Sequence, residues 1–122
     1  MTGFVLFAHG SRIESANESV RAVAAQLASR GGYTVEPAFL EGGQPDLSGA
    51  VDRLARNELS TIVVIPYFLT LGTHLQRDLP VLVRAAAERH PGLDIEITDP
   101  LDGHPALVQA LLDRAGTAGA GA

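Results

Sequence analysis

The stretch GFVLFAHGSR, residues 3–12, decides the fold class of this chain. Residues 3–8 form a continuous apolar run, which is typical of a strand covered on both faces of a sheet. The run stops abruptly at His9, and a short polar segment follows. A buried strand that ends in a histidine places an imidazole at the edge of the sheet. That side chain is a catalyst, a ligand or only a loop residue, and the rest of the sequence has to distinguish these roles.

Strand-like and helix-like segments alternate along the rest of the chain. The helical segments place Ala, Val and Leu at helical spacing and are bounded by Gly or Pro. Pro37 favours an edge position for the second strand, and Asp78 is expected to cap the third helix, with Pro80 in its first turn. The predicted strands are 3–8, 33–39, 61–66 and 93–98, and the predicted helices are 15–29, 45–55, 78–89 and 105–115.

The element order βαβαβαβα predicts an α/β protein with a parallel sheet and helices on both faces, because right-handed crossovers admit little else. We expect a doubly wound, four-stranded sheet of order 2-1-3-4. Residues 1–115 are predicted to form a single domain. The Gly- and Ala-rich segment 116–122 is expected to be a disordered tail.

Composition limits the classes of function open to the 122 residues. Hydrophobic residues make up 46% and charged residues 19%, the balance of a globular domain, and the net charge is −5. An acidic chain is a poor binder of nucleic acid, which needs a basic face. The chain has no Cys, so disulfides and thiolate metal sites are excluded. Without a bilayer-length apolar run or a signal-peptide pattern, we expect a cytoplasmic protein that does not contact the membrane.

Four histidines are present, and two of them are predicted to be structural. His90 lies at the end of a predicted helix, where it interacts favourably with the helix dipole, and His104 lies in a loop before the last helix. His9 and His74 follow the first and third strands, which are neighbours in a 2-1-3-4 sheet. Loops after these strands diverge and open the crevice in which such folds bind ligands. We therefore expect His9 and His74 to converge on a functional site.

Two neutral imidazoles at such a crevice can bind a divalent transition metal, and an imidazole also acts as a general base near neutral pH. Carboxylates are present nearby, at Glu41, Asp46 and Asp78. Two protein ligands would hold a metal loosely, which suits a site that gives its metal away better than a structural site.

The motifs resemble those of the short, single-domain sirohydrochlorin and cobalt chelatases of the CbiX and SirB type. The third of the matching stretches is the most specific, and the resemblance extends to about residue 115. The stretches are LFAHGSR (6–12), AFLEGGQPDL (38–47), VVIPYFLTLGTHLQRDLP (63–80) and DPLDGHPALVQALL (99–112).

The resemblance implies a flavodoxin-like fold and a class II, ATP-independent chelatase. Its reaction would insert a divalent metal, cobalt or alternatively nickel or iron, into sirohydrochlorin or a related reduced tetrapyrrole. His9 would bind the metal and accept a pyrrole proton, and His74 would be the second metal ligand. Gln44 stands where relatives usually have Glu, which leaves it a hydrogen-bonding role toward the substrate. No Walker-type loop is present, consistent with a reaction that uses no nucleotide.

The residues predicted to contact the tetrapyrrole belong to the loops after the first three strands. Those named by motif or by the resemblance are Ser11, Arg12, Gln44, Leu69, Thr70, Leu71, Gly72 and Thr73. Arg12, Arg77 and Arg84 are candidates to meet substrate carboxylates, and Tyr67, Phe68 and Leu71 to offer an apolar surface. Ser11 is expected mainly to hydrogen-bond its own loop, and Glu41 and Asp78 to cap or orient loops.

Two other functions are compatible with the same histidines. A non-catalytic carrier of metal or tetrapyrrole would show the same His pair. A phosphate-handling enzyme of the histidine phosphatase kind is less favoured, because Ala8 stands where that chemistry needs an Arg. Since the longer chelatases of the family carry two fused copies of the domain, a single copy suggests a homodimer.

Overall fold

Four parallel strands form one sheet in the order β2-β1-β3-β4, which confirms the predicted doubly wound topology. The computed structural model describes residues 1–119. Its elements are β1 (Thr2–Ala8), α1 (Glu14–Gly31), β2 (Thr34–Phe39), α2 (Leu47–Ala55), β3 (Thr61–Pro66), α3 (Thr73–Glu88), β4 (Asp94–Ile97) and α4 (Pro105–Gly119). β2 occupies an edge, as Pro37 predicted.

The core lies between the sheet and the pair α2 and α3. Val5, Phe7, Ile62 and Val64 point toward these helices from the two central strands and have no exposed surface. Alternate residues of a strand face opposite sides of a sheet, so Leu6 and Ile65 lie on the other face, where α1 packs on β2 and β1. The two faces are therefore covered unequally, by two helices on one side and by α1 on the other.

Helix α3 begins at Thr73 and not at Asp78, so the predicted start of this helix was wrong. Gly72 is the N-terminal flanking residue, and the amide of Gln76 donates to its carbonyl at 2.9 Å. Asp78 consequently lies inside the helix instead of capping it, and so does Pro80, whose ring nitrogen donates no hydrogen bond there. The consequence for function is that His74 lies in the first turn of a helix rather than in a loop.

The last helix, α4, extends beyond its predicted end and reaches Gly119. Residues 116–119 were expected to belong to a disordered tail, but they continue this helix. Residues 120–122, the rest of the predicted tail, lie outside the described residues. Within residues 1–119, no helix combines the length and the apolar character needed to cross a membrane.

Candidate active site

His9 and His74 lie at the carboxyl edge of the sheet and line one cavity of about 360 Å³. His9 follows the last residue of β1, and His74 is the second residue of α3, which follows β3. β1 and β3 are hydrogen-bonded neighbours, so the two imidazoles come to the same crevice. Both residues are exposed, which leaves their ring nitrogens accessible from solvent.

The cavity is apolar apart from a few polar groups. Leu40, Phe68 and Leu75 supply hydrocarbon surface, and Asp78 adds a carboxylate one helical turn beyond His74. Phe68 also packs against the core, with its ring centroid 6.1 Å from that of Phe7. An apolar wall beside two imidazoles suits a ligand that is largely hydrocarbon and that presents nitrogen atoms or a metal to the histidines.

The orientation of the His9 ring is defined by its neighbours. Nδ1 lies 3.1 Å from the carbonyl oxygen of Gly10, and a carbonyl can only accept a hydrogen bond. In the neutral ring Nδ1 therefore carries the proton, and Nε2 keeps its lone pair. Nε2 lies 3.7 Å from Oε1 of Glu41, and both side chains are more than half exposed. The His9 lone pair and a carboxylate thus face the same region of space.

A buried asparagine joins the loop that carries His9 to the loop that carries Glu41. Asn17 is 1% exposed; its Oδ1 accepts from the Ser11 amide at 2.9 Å, and its Nδ2 donates to the carbonyls of Ser11 and Gly42 at 2.8 and 3.0 Å. Hydrogen bonds from Arg21 and from Asn17 lower the pKa of Glu14, whose carboxylate extends the network at its exposed edge. No motif marked Asn17, because a polar residue in an amphipathic helix is ordinarily on the surface.

The two loops also approach each other through glycine backbone. Gly10 has φ +87°, and a Cβ placed on it would lie 1.7 Å from the carbonyl oxygen of Glu41. Gly42 has φ +72°, and its Cβ would lie 2.8 Å from the backbone of Ser11. Only glycine allows this approach together with the left-handed conformation. The distance between His9 and Glu41 is therefore set by backbone as well as by side chains.

The residues predicted to bind the tetrapyrrole fall into three groups. Gly72 and Thr73 line the main cavity with the histidines, whereas Ser11 and Arg12 line an adjoining polar cavity of about 200 Å³ with Glu41. Leu69, Thr70 and Gln44 are exposed and line neither cavity, and Leu71 packs partly on the core. Arg77 and Arg84 are exposed on α3. Ser11 Oγ accepts a hydrogen bond from the Ile13 amide at 3.0 Å, which is the loop-stabilising role expected of Ser11.

Leu40 and Leu75 were not predicted to line the cavity, whereas Asp78 was named among the nearby carboxylates but expected to cap a helix. Leu40 and Leu75 carry no sequence signal beyond their apolar character. Asp78 was assigned to a cap; with α3 starting at Thr73, its spacing of four residues from His74 places both on one helical face. In residues 1–119 no group of three or more His, Asp or Glu side chains is close enough to hold a metal on its own.

The structural roles expected of the other two histidines agree with their contacts. Nδ1 of His104 accepts from the amide of Ala106 at 3.0 Å, at the start of α4. His90 lies just beyond the end of α3, and its Nε2 donates to Oδ1 of Asp52 on α2 at 2.7 Å, a partner that the sequence did not indicate. Both rings are thus engaged away from the cavity.

Comparison with known proteins identifies relatives across the whole domain. The family model described as CbiX matches residues 3–118. A sirohydrochlorin cobaltochelatase of Sulfurisphaera tokodaii is 32% identical over 114 residues, which cover 93% of this chain and 91% of the relative. A protein of the same name from Saccharolobus solfataricus is 35% identical over 120 residues, with 93% of each chain covered.

Solved structures share the fold. A CbiX protein of cobalamin biosynthesis from Marinobacter aquaeolei superposes with a TM-score of 0.88 at 24% identity, and the match covers 100% of both chains. SirB from Bacillus subtilis, solved with Fe3+, also gives a TM-score of 0.88, at 23% identity. That match covers 97% of this chain and 47% of SirB, so this chain corresponds to about half of the longer protein.

Proposed function

This chain belongs to the CbiX family, and we propose that it is a class II chelatase, a lyase that inserts a divalent metal into sirohydrochlorin or a related reduced tetrapyrrole without ATP. Cobalt(II) is the proposed metal, with nickel(II) and iron(II) as alternatives. The observation that carries the proposal is the pair of exposed imidazoles lining one apolar cavity. The relatives named sirohydrochlorin cobaltochelatase support the choice of tetrapyrrole and metal.

The cavity and its rim fit the two parts of such a substrate. The apolar wall formed by Leu40, Phe68 and Leu75 would contact the flat face of the macrocycle. The neighbouring polar cavity is lined by Arg12 and the backbone around Ser11. These groups would bind the carboxylates at the edge of the macrocycle. The exposed residues Leu69 and Thr70 would cover the ring from the side of α3.

Metal binding is assigned to His9 and His74. Within residues 1–119 no three such groups are already close enough to share an ion, so the Glu41 carboxylate beside His9 would join them only when these exposed side chains move. Nε2 of His9 and Oε1 of Glu41 are 3.7 Å apart. Two ligands of a tetrahedral ion with bonds of about 2.1 Å stand roughly 3.4 Å apart, so a small adjustment of exposed side chains accommodates the ion. Because these ligands are few and exposed, the metal is held loosely and can leave for the ring nitrogens.

The same groups account for the protons. Insertion requires two pyrrole N–H protons to leave as the metal forms its bonds to the ring nitrogens. When the metal moves from His9 to the ring, the Nε2 lone pair is released and accepts one proton. The Glu41 carboxylate, 3.7 Å from His9 Nε2, would accept the other. Metal departure and proton removal are thereby coupled on one side of the macrocycle, and no nucleotide is required.

We also propose a cytoplasmic homodimer. The cavity is open toward solvent, and one copy of the domain covers only one side of a flat macrocycle. A second copy facing it would enclose the substrate between two carboxyl edges. This chain corresponds to half of the SirB chain, which is the relation expected between a dimer of single domains and a chain of twice the length.

The test is an insertion assay with the full chain, sirohydrochlorin and cobalt(II), followed by the absorbance of the metallated product. The same mixture without protein gives the background rate. Acceleration above background is expected, and repeating the assay with nickel(II) and iron(II) ranks the metals by kcat/KM. A rate equal to background, together with measurable binding of cobalt(II) or tetrapyrrole, would contradict the proposal and identify a carrier.

A further inference from the structure

Helix α3 presents a second metal-binding side chain to the main cavity beside His74. His74 and Asp78 both line that cavity, and both are exposed. They are four residues apart, so they lie on one face of the helix with their Cβ atoms roughly 6 Å apart. Two histidines at this spacing on a helix bind a single zinc ion in a common metalloprotease motif. An imidazole and a carboxylate at the same spacing can likewise share one divalent cation.

The carboxylate of Asp78 is presented to the cavity, whereas two other helical aspartates are engaged within the fold. Oδ1 of Asp46 accepts a backbone hydrogen bond and caps α2. The carboxylate of Asp52 accepts hydrogen bonds from Arg89 and His90. Asp78 lies in the second turn of α3, and its side chain forms part of the cavity wall. A ligand in the cavity therefore meets the Asp78 carboxylate directly.

The charges along α3 favour a cation at this position. The amino end of a helix carries a partial positive charge, which by itself opposes a metal ion next to His74. The carboxylate of Asp78, one turn away, offsets that charge. Arg77 is the adjacent cation in the sequence, but it is exposed and does not line the cavity. The wall of the cavity that α3 forms therefore attracts a metal ion.

The site has an imidazole and a carboxylate on each of two sides. On the side of the loops, Nε2 of His9 lies 3.7 Å from Oε1 of Glu41. His74 and Asp78 form the other couple, on a helix. Within residues 1–119 no three His, Asp or Glu side chains are close enough to share an ion as they stand. An arriving ion is therefore held by one couple and by water before it contacts the other.

We propose that His74 and Asp78 together bind the metal ion on its arrival, with one imidazole nitrogen and one carboxylate oxygen as ligands. A change of rotamer in the two exposed side chains is enough to bring both onto one ion. Cobalt(II), nickel(II) and iron(II) all accept this combination of ligands. Water fills the remaining positions, and His9 and then the ring nitrogens replace it. The inference rests on the chelatase function proposed above and adds Asp78 to the ligands of its metal.

Calorimetric titration of the full chain with cobalt(II), without tetrapyrrole, tests the pair separately from insertion. Asp78→Asn should weaken cobalt(II) binding about tenfold, and Asp78→Glu, which keeps the carboxylate, should bind more tightly than Asp78→Asn. The control Glu88→Gln removes the same charge from an exposed residue at the other end of α3 and should bind as wild type. Urea unfolding should be unchanged in all three variants, since their positions are exposed. Wild-type binding by Asp78→Asn would overturn the proposal.

A double-variant cycle distinguishes a shared ion from a distant charge. Asp78→Asn is repeated in a His74→Ala background, with the same cobalt(II) titration. If the two side chains hold one ion, the Asp substitution weakens binding much less in this background than in the wild type. An equal loss in both backgrounds would show that Asp78 acts only through its charge and would overturn the pair.

Direct contact with the ion can be observed by spectroscopy, because the chain contains no Cys. A thiolate bound to cobalt(II) adds an intense charge-transfer band in the near ultraviolet, and Asp78→Cys should show this band when cobalt(II) is added. Glu88→Cys, at the far end of the same helix, should not. Absence of the band in Asp78→Cys would overturn the proposal. A band in Asp78→Cys together with a wild-type insertion rate equal to background would support the pair and contradict the chelatase function alone.

Discussion

The loop after β1 and the loop after β3 each lead to a histidine of the cavity, but they are held very differently. The loop after β1 is joined to the Glu41 loop by three hydrogen bonds to buried Asn17 and by close backbone contact at Gly10. In the loop after β3, the Leu69 side chain is 65% exposed, and no atom lies within 4 Å of a Cβ placed on Gly72. The first loop fixes the position of His9, the proposed base, and the second has free surface that the proposed tetrapyrrole could cover.

The largest expected effects distinguish the two histidines. His9→Ala should lower the insertion rate at least about a hundredfold, because the ligand and the proton acceptor are lost together. His74→Ala should mainly raise, by about tenfold, the cobalt(II) concentration that gives half the maximal rate. Steady-state kinetics at varied metal concentration measures both. The control His90→Gln lies at the opposite end of α3 and should behave as wild type; near wild-type turnover in His9→Ala would refute its assigned role.

A matched pair of glycine substitutions compares the backbone of the two loops. Gly10→Ala should destabilise the protein by ~3 kcal/mol, because φ is +87° and the new Cβ would overlap the Glu41 carbonyl. Gly72→Ala has open space and φ −67°, so its cost should stay below about 1 kcal/mol. Urea titration gives both free energies of unfolding. Equal losses for the two variants would mean that the loops are equally constrained, contrary to the comparison.

The contribution of the asparagine network is measured by Asn17→Ala. Removing three hydrogen bonds from a buried site should cost about 2–3 kcal/mol of stability, since loop amides and carbonyls lose their partner. The rate of metal insertion should fall as well, because the distance between His9 and Glu41 is no longer held. Asn57→Ala, at an exposed residue with one long hydrogen bond, is the matched control and should change stability by less than about 0.5 kcal/mol. If Asn17→Ala matches this control, the network does not hold the loop.

The opposite pattern is expected in the loop after β3. Leu69→Ala should leave the free energy of unfolding nearly unchanged but weaken tetrapyrrole binding about tenfold, since the side chain is exposed until substrate covers it. Leu79→Ala, at a residue that is 1% exposed in α3, should instead cost roughly 2–5 kcal/mol. Fluorescence titration with the metal-free tetrapyrrole and thermal unfolding separate the two effects. Unaltered binding by Leu69→Ala would remove this loop from the substrate site.

The smallest effect is expected far from both loops, at the ion pair between α2 and the end of α3. A hydrogen bond from His90, with the nearby charge of Arg89, lowers the pKa of Asp52. A carboxyl group with a lowered pKa in the folded state stabilises the fold above its unfolded-state pKa, near 4, and loses that contribution as the pH falls through the folded-state pKa. Asp52→Asn should therefore cost about 1 kcal/mol at pH 7, and the difference from wild type should shrink below pH 4. A difference that is constant with pH would exclude this linkage.

Much of the fold was predictable because its signals are local. Continuous apolar strands alternating with amphipathic helices leave a parallel sheet as almost the sole arrangement, and the order of strands β1 and β3 brings His9 and His74 together. The start of α3 was mispredicted because Asp78 and Pro80 form a strong local signal for a helix start. The helix begins five residues earlier, at Thr73. Gly72 precedes it and has no side chain to act as a cap, so no capping residue marks the position.

By itself, the sequence determined the order of elements, the parallel sheet and the edge at which both histidines emerge, since periodicity and chain direction are properties of short segments. Tertiary structure alone decided that Glu41 faces His9, that Asn17 is buried between two loops, and that His9 and Asp78 line one cavity. These features depend on the register and twist that bring distant segments together. A carboxylate 32 positions away in the chain becomes a neighbour only when two strands pair and their loops turn toward each other.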